Sequence, residues 1–335
     1  MAYIGITASD EGLALAEGGE LDQLLARRLR AIGRNAPVVI LIHGFKFHPD
    51  AAGRPAANPH RSIYAFGPGP RSWKAPSWPE GLGFDPASPE TGLCIGFAWP
   101  AAEAHLPSLM ATGRNGFARV YERAGTYGER LADLIARIQA LAPGKAIDLL
   151  AHSLGARVAL SSLPHLATAP ERIVLLGAAE FDERAREALG ALRAPRPPQV
   201  YNVTARANDF YDLLLETFAP RRGWRERAVG LGLREPLPCW LDMQLDRQEV
   251  TEWINAQGIA LRPMTARRCH WSFYTHEGTF AVYQAILRRR PGWDVASLRA
   301  APCFAEQEPR WSRLAPALRL PGLRPADLAS GLESA

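Results

Sequence analysis

A serine in a tight strand-to-helix turn is the residue with the clearest chemistry in this sequence. Residues 146–156 have the pattern of a short apolar strand, a turn carrying Ser153, and the start of a helix. The turn is Ala-His-Ser-Leu-Gly, close to Gly-x-Ser-x-Gly, in which a strained turn exposes a serine oxygen above a parallel sheet. The flanking residues must be small because the strand and helix backbones approach each other there. The pattern predicts a nucleophilic serine.

A serine needs a base to take its proton, and the base needs an anionic partner to hold it. On strand–turn–helix folds of this kind the chain order is serine, then Asp or Glu, then His. Asp209 follows a predicted strand after the serine, and His270 lies in a loop before the last long helix. We therefore expect a triad of Ser153, Asp209 and His270.

Other residues could take the place of the acid. Asp212 lies one helical turn beyond Asp209, and Glu180 and Asp182 follow the preceding strand. Asp209 is favoured because it comes directly at the end of its strand, where catalytic groups of open α/β sheets gather.

The base also has an alternative. His276 lies six residues after His270 and before a Glu-Gly pair. Its position equally fits a helix cap or an exposed site, so His270 is favoured. His152, inside the turn, is expected to pack against it.

Two backbone N–H groups are predicted to stabilise a developing oxyanion. The apolar run 38–42 has the pattern of a buried parallel strand and ends at His43-Gly44. Gly44 lets the backbone turn so that the N–H of Phe45 faces the reaction, and Leu154, the residue after the serine, supplies the second donor.

The elements around these residues alternate between strands and helices. Further buried strands are predicted near 93–99, 172–179 and 199–204, and an amphipathic helix over 117–141. Strand, crossover helix, strand is the unit of a parallel sheet. We predict an α/β fold in which helices flank a mostly parallel central sheet, as one domain over 1–335. Residues 219–247 show no regular pattern.

The segment 46–92 lacks sustained periodicity and is rich in aromatic residues, which argues against disorder. It is interpreted as a covering, lid-like loop over the site, and a wrap around the sheet edge fits equally well. The substrate pocket is expected near the motifs, and the last residues, about 325–335, are expected to be mobile. The expected pocket residues are His43, Lys46, Tyr64, Trp99 and His152.

Composition excludes several classes of function. The net charge is +5, and the basic residues are scattered apart from the short runs 267–268 and 288–290, whereas a nucleic-acid binder shows a stripe or cluster. The four cysteines are far apart, so neither a zinc site nor a disulfide framework is predicted. The sequence shows no signal peptide and no apolar stretch near the ~20 residues that cross a bilayer. We expect a cytoplasmic protein without a metal.

The segments 39–45, 97–100 and 149–158 together resemble the α/β-hydrolase superfamily, most closely its little-characterised bacterial esterase- and lipase-like members. Their turns often contain His-Ser-Met/Leu-Gly, and the preceding strand often ends in Trp-Pro. The resemblance covers about residues 37–285, with Ala151 replacing the first glycine of the pattern. It implies the triad above, the two backbone donors and no cofactor.

The expected function is a serine hydrolase that cleaves a small-molecule carboxylic ester through an acyl-enzyme. The aromatic segment favours an apolar or aromatic substrate group. An amidase, peptidase or lactonase with the same triad, and a non-catalytic binding protein on the same fold, remain alternatives, because this fold hosts many activities.

Overall fold

The architecture was established from a computed structural model. It describes residues 3–51, 53–67, 74, 76–102 and 109–314, without the side chains of 89 and 109–115. The stretch 325–335, predicted to be mobile, lies outside these residues.

One mostly parallel sheet forms the centre of the protein. Its strands are β1 (Tyr3–Ser9), β2 (Gly12–Leu15), β3 (Val38–Ile42), β4 (Leu93–Ala98), β5 (Ile147–His152), β6 (Arg172–Leu176), β7 (Gln199–Thr204) and β8 (Trp240–Gln244). Their order is β2-β1-β4-β3-β5-β6-β7-β8. Only the edge pair β1–β2 is antiparallel within this described sheet. The carboxyl ends of the parallel strands therefore meet along one edge.

Helices cover both faces of the sheet. They are α1 (Leu21–Ala31), α2 (Trp78–Gly81), α3 (Leu109–Leu141), α4 (Leu154–Ser162), α5 (Asp182–Gly190), α6 (Asp209–Phe218), α7 (Gln248–Ala256), α8 (Ser272–Thr275), α9 (Thr279–Leu287) and α10 (Val295–Arg299). Helices α1 and α3–α6 pack on one face, whereas α2 and α7–α10 pack on the other. Among the described residues, none of these helices combines the length and apolar character needed to cross a bilayer.

The central strands are apolar throughout because they are buried on both faces. Every residue of β3 is fully buried. Val38, Ile40 and Ile42 face one helical layer, and Val39 and Leu41 face the other. This alternation confirms the predicted α/β architecture.

Four of these elements were not predicted. α2 lies within 46–92 and β8 within 219–247, where no regular pattern was seen, whereas α8 lies in the loop that carries His270 and α10 follows the last long helix. β8 was missed because its sequence, Trp-Leu-Asp-Met-Gln, is short and interrupted by Asp242, whose carboxylate is satisfied by the side chains of Asn202 and Trp240. A hydrogen-bonded acid inside a strand gives no apolar run to detect.

Part of the aromatic segment 46–92 forms the second layer over β3 and β4. Its buried aliphatic and aromatic residues are Ile63, Tyr64, Trp78, Leu82 and Phe84. The Tyr64 hydroxyl donates to the Leu41 carbonyl of β3 at 2.9 Å. These side chains are core residues and continue the apolar packing of α9.

Close packing of α3 on α4 predicts a specific cost for one added methyl group. A Cβ on Gly128 would lie 2.7 Å from the Cβ of Ser161, whereas a Cβ on Gly190 of α5 would meet no atom within 4 Å. Gly128→Ala should lower the free energy of unfolding by about 1–3 kcal/mol because the helices must separate. Gly190→Ala, the matched control, should stay within about 1 kcal/mol of wild type. Equal unfolding midpoints of the two variants in urea would contradict the close approach.

Candidate active site

Ser153 occupies a strained turn between β5 and α4. Its backbone has φ 56° and ψ −123°, an unusual conformation for a residue with a side chain. The Ser153 N–H donates to the Leu176 carbonyl of β6, and the Ser153 carbonyl accepts from the N–H of Ala179, both at 3.0 Å. Neighbouring strand β6 and the loop that follows it thus hold the turn, and the serine lies at the carboxyl edge of the sheet.

Small residues allow the backbones to meet at this turn. A Cβ on Gly44 would lie 2.6 Å from the Cβ of Ser153, and one on Gly155 would lie 2.7 Å from the His43 carbonyl oxygen. Ala151, which replaces the first glycine of the pattern, is fully buried in β5 and packs its methyl group into the apolar core. The substitution therefore leaves the turn intact.

His43 fixes the loop that carries one of the predicted oxyanion donors. Its Nε2 accepts from the Trp99 backbone N–H at 3.1 Å, so its Nδ1 carries the proton and donates to the Gly44 carbonyl at 2.9 Å. Because a trans peptide sets C=O and N–H on opposite sides, the N–H of Phe45 points away from His43. Within the described residues this N–H makes no backbone hydrogen bond.

The second predicted donor lies at the start of α4. Leu154 is the first residue of the helix, where N–H groups have no partner inside the helix. The positive end of the helix dipole favours negative charge at the same place. The N–H groups of Phe45 and Leu154 thus lie on the two segments that meet at Ser153.

His270 lies beside the turn and is held at both its ring and its backbone. Its Nδ1 is 2.7 Å from Oδ1 of Asn208, and its carbonyl accepts from Nε2 of His152 at 3.1 Å. The His152 and His270 rings are 4.6 Å apart, and the Tyr211 ring stacks on His270 at 4.7 Å. Burial, together with the neighbouring His152, holds the pKa of His270 well below its usual value, so the imidazole is neutral at pH 7.

The structure places Asn208, and not the predicted Asp209, against His270. Asp209 is paired with Arg206 at 3.3 Å and accepts from the Trp311 N–H at 2.6 Å. Asn208 ends a 3₁₀ turn and Asp209 begins α6. Successive residues of a helix point about 100° apart, so only one of the two can face the imidazole.

The other candidate acids lie in separate contacts. Glu180 is paired with Arg157 at 2.7 Å, and Asp182 with Arg234 at 2.7 Å. Neither contacts His270 among the described residues. Asp212, in contrast, lies behind Asn208 and accepts from its Nδ2 at 3.0 Å.

The alternative base lies away from the turn. His276 forms a hydrogen bond between its Nε2 and the Arg262 carbonyl at 2.7 Å. It follows α8, and its own carbonyl accepts from the Thr279 hydroxyl at the start of α9. His276 therefore joins two surface segments.

Four of the five residues expected to line a substrate pocket are buried. His43, Tyr64 and Trp99 are fully buried, and the rings of His43 and Trp99 stack at 5.8 Å. Lys46 is exposed, with φ 78°. His152 packs beneath His270, as expected for a residue inside the turn. The expected pocket wall is thus mostly core.

Several contributors were not singled out from the sequence. Asn208 and Tyr211 contact the His270 ring, while Trp78 and Tyr274 pack around His152. A polar residue shortly after β7 was the signal for Asn208, and it pointed equally to its neighbour Asp209. No group of three or more His, Cys, Asp or Glu residues in the described part of the chain could hold a metal ion.

A comparison with known protein families supports the fold. Residues 20–188 match the model of the family described as alpha/beta hydrolase of unknown function (DUF900), just over half of the chain of 335 residues. The chain belongs to this family. The match confirms the resemblance to the α/β-hydrolase superfamily and its fold. It includes Ser153, Phe45 and Leu154, and it ends before Asn208 and His270. A search among curated proteins returned no match.

Burial of His43 predicts a pH-dependent contribution to stability. Burial lowers the pKa of His43 to about 3, whereas an unfolded chain has a histidine pKa near 6.5. The unfolded state therefore binds the extra proton first, and stability falls as the pH drops from about 6.5 toward 3. Between pH 7 and pH 5 this contribution amounts to about 2 kcal/mol.

His43→Gln should remove this contribution. Its destabilisation relative to wild type should be larger at pH 7 than at pH 5, measured by urea unfolding at both values. His165→Gln, at an exposed histidine, should show no such difference. A His43 variant whose destabilisation is the same at both pH values would contradict a buried neutral imidazole.

Proposed function

We propose that this α/β hydrolase is a serine esterase that cleaves a carboxylic ester through an acyl-enzyme at Ser153. The observation that carries the proposal is the convergence of three segments at one edge of the sheet. They are the strained turn at Ser153, the His43-Gly44 loop after β3, and the His270 imidazole held by Asn208 after β7. Ligands of open α/β sheets bind at this edge.

The hydrogen bonds of Asn208 set the tautomer of His270. The amide Nδ2 donates to Asp212, so its Oδ1 is the atom that faces the imidazole and must accept. Nδ1 of His270 therefore carries the proton and Nε2 is left with a lone pair. Within the described residues Nε2 of His270 makes no hydrogen bond, which leaves it available as a base.

The reaction follows from these positions. Ser153 Oγ attacks the ester carbonyl carbon as its proton passes to Nε2 of His270, and the N–H groups of Phe45 and Leu154 stabilise the resulting oxyanion. Collapse of this intermediate breaks the bond to the alcohol, which takes the proton from His270. Water, deprotonated by the same imidazole, then releases the acid and restores Ser153.

An ester suits this base better than an amide. An alkoxide leaves a tetrahedral intermediate more readily than an amine anion does. The reaction therefore demands less of an imidazole whose immediate partner is a neutral amide. Tyr211 and Trp271, both half-buried and 6.0 Å apart, lie next to His270 and support an apolar or aromatic substrate group.

Removal of the nucleophile should abolish the activity. Ser153→Ala should lower the turnover of p-nitrophenyl acetate by at least about 10³-fold, because the oxyanion donors cannot replace the covalent step. Ser161→Ala, at a half-buried serine of the helix α4 that follows Ser153, is the control and should keep the wild-type rate. A Ser153 variant with wild-type turnover would refute the proposal.

The two histidine candidates can be separated in the same assay. His270→Ala should lose turnover by a similar factor, because no other imidazole in the described site can take the proton of Ser153. His276→Ala should change kcat by less than about twofold, since in the described part of the chain its ring bonds the Arg262 carbonyl and its own carbonyl accepts from Thr279. The opposite ranking of the two variants would assign the base to His276.

A further inference from the structure

The residue that orients the proposed base carries no charge. Asn208 can accept a hydrogen bond from Nδ1–H of His270. A neutral amide, however, does not compensate the positive charge of the imidazolium that forms when Ser153 gives up its proton. A carboxylate lies one step further back, where Asp212 Oδ1 accepts from Asn208 Nδ2 at 3.0 Å. Both Asn208 and Asp212 are 2% exposed. The charge therefore reaches the imidazole only through the amide.

The fold holds this carboxylate in place. Asn208 is the residue before the first turn of α6 and Asp212 lies one turn along the helix, a spacing that puts both side chains on one face. Gly230 packs directly on the carboxylate, and a Cβ there would lie 2.8 Å from Asp212 Oδ1. Oδ2 of Asp212 is buried without a hydrogen-bond partner among the described residues. The Asn208 amide is thus the group that this carboxylate engages.

Charged groups surround Asp212 but are engaged elsewhere. Arg206 and Arg310 face it from two other segments, and Asp209 and Glu216 from its own helix. Arg206 pairs with Asp209 at 3.3 Å, and Arg310 with Glu216 at 2.8 Å. No ion pair of Asp212 occurs within the described residues. Among these charged side chains, Asp212 is therefore the one whose carboxylate contacts Asn208.

We propose that Asp212 is a positioning residue that acts on the reaction through Asn208. Its carboxylate polarises the amide, strengthens Oδ1 as an acceptor and so stabilises the His270 imidazolium. The proton of Ser153 moves only as far as Nε2 of His270, and no proton leaves Asn208. This inference rests on the proposed esterase function.

The burial of Asp212 gives the arrangement a pH dependence. Desolvation raises the pKa of Asp212 to about 7, while the pKa of His270 stays well below its usual value. Below pH 7 the carboxyl is mostly protonated and neutral, and above it the charge is present. The rate should therefore rise through about pH 7 although His270 is neutral throughout.

The test compares three variants by kcat, KM and pH profile with p-nitrophenyl acetate, after circular dichroism and thermal unfolding have shown that each is folded. Asp212→Asn keeps the shape of the side chain and removes its charge. It should lower kcat at pH 8 by about tenfold, leave KM unchanged and abolish the step near pH 7. Asp209→Asn, the matched control, removes a buried carboxylate from the same helix and should retain the step.

The decisive variant exchanges the two side chains. Asn208→Asp combined with Asp212→Asn keeps one amide and one carboxylate, but the carboxylate now contacts the His270 ring directly. It should restore kcat to at least the wild-type value, whereas a merely structural role for Asp212 predicts no rescue. It also serves as the second variant if Asp212→Asn does not fold.

Failure of this inference can be distinguished from failure of the esterase proposal. The second readout is the rate at which a fluorophosphonate labels each protein. Suppose that the wild type is labelled and turns over the ester. If Asp212→Asn then has the wild-type kcat at every pH, or if the exchange variant remains slow, only the role of Asp212 is overturned. A wild type that is neither labelled nor active overturns both.

Discussion

A positive backbone φ at Ser153 is the constraint on which the arrangement of the site depends. Such a conformation costs on the order of 1–3 kcal/mol at a non-glycine residue and persists only where the surroundings enforce it. Here the enforcement comes from β6, which binds the turn on one side. It also comes from Gly44 and Gly155, which let the turn approach the end of β3. The strain lifts the serine out of the sheet and starts α4 directly after it.

The same constraint explains why so many polar groups near the site are not catalytic. Bringing three loop backbones together buries N–H and C=O groups that need partners. His43 supplies them for the loop after β3, and His152 supplies one for the loop that carries His270. Burial holds the pKa of His43 and of His152 far below 6.5, so both imidazoles stay neutral. They act as fixed hydrogen-bonding groups, and the proposed mechanism assigns proton transfer to His270.

The sequence predicted those features that depend on a few neighbouring residues, and it did not predict those that depend on contacts between distant segments. The turn at Ser153, the loop at Gly44 and the apolar parallel strands follow from short patterns. The partner of His270 does not, because a shift of one residue at the start of α6 turns the side chain by about 100°. Asn208 and Asp209 are adjacent, and only the tertiary pairing of Asp209 with Arg206 and Trp311 decides between them.

The sequence also could not show which aromatic residues near the site are buried in the core. Tyr64 and Trp99 lie near the motifs in the chain, and an aromatic residue at a strand end fits a pocket wall and a core equally well. The packing of the segment 46–92 against β3 and β4 makes Tyr64 a core residue, whereas Trp99 lies in the opposite apolar layer, with α1 and α3–α6. In the same way β8 escaped detection because its half-buried Asp242 accepts a hydrogen bond from Asn202, 40 residues away in the sequence.

The central claim is that Ser153 is a nucleophile activated by its surroundings. The most direct measurement is peptide mapping by mass spectrometry after the folded wild type reacts with an equimolar fluorophosphonate. The structure predicts a single adduct, on the peptide that contains Ser153, and no adduct when the protein is first unfolded in urea. An adduct on another residue, or none on the folded protein, would contradict the account.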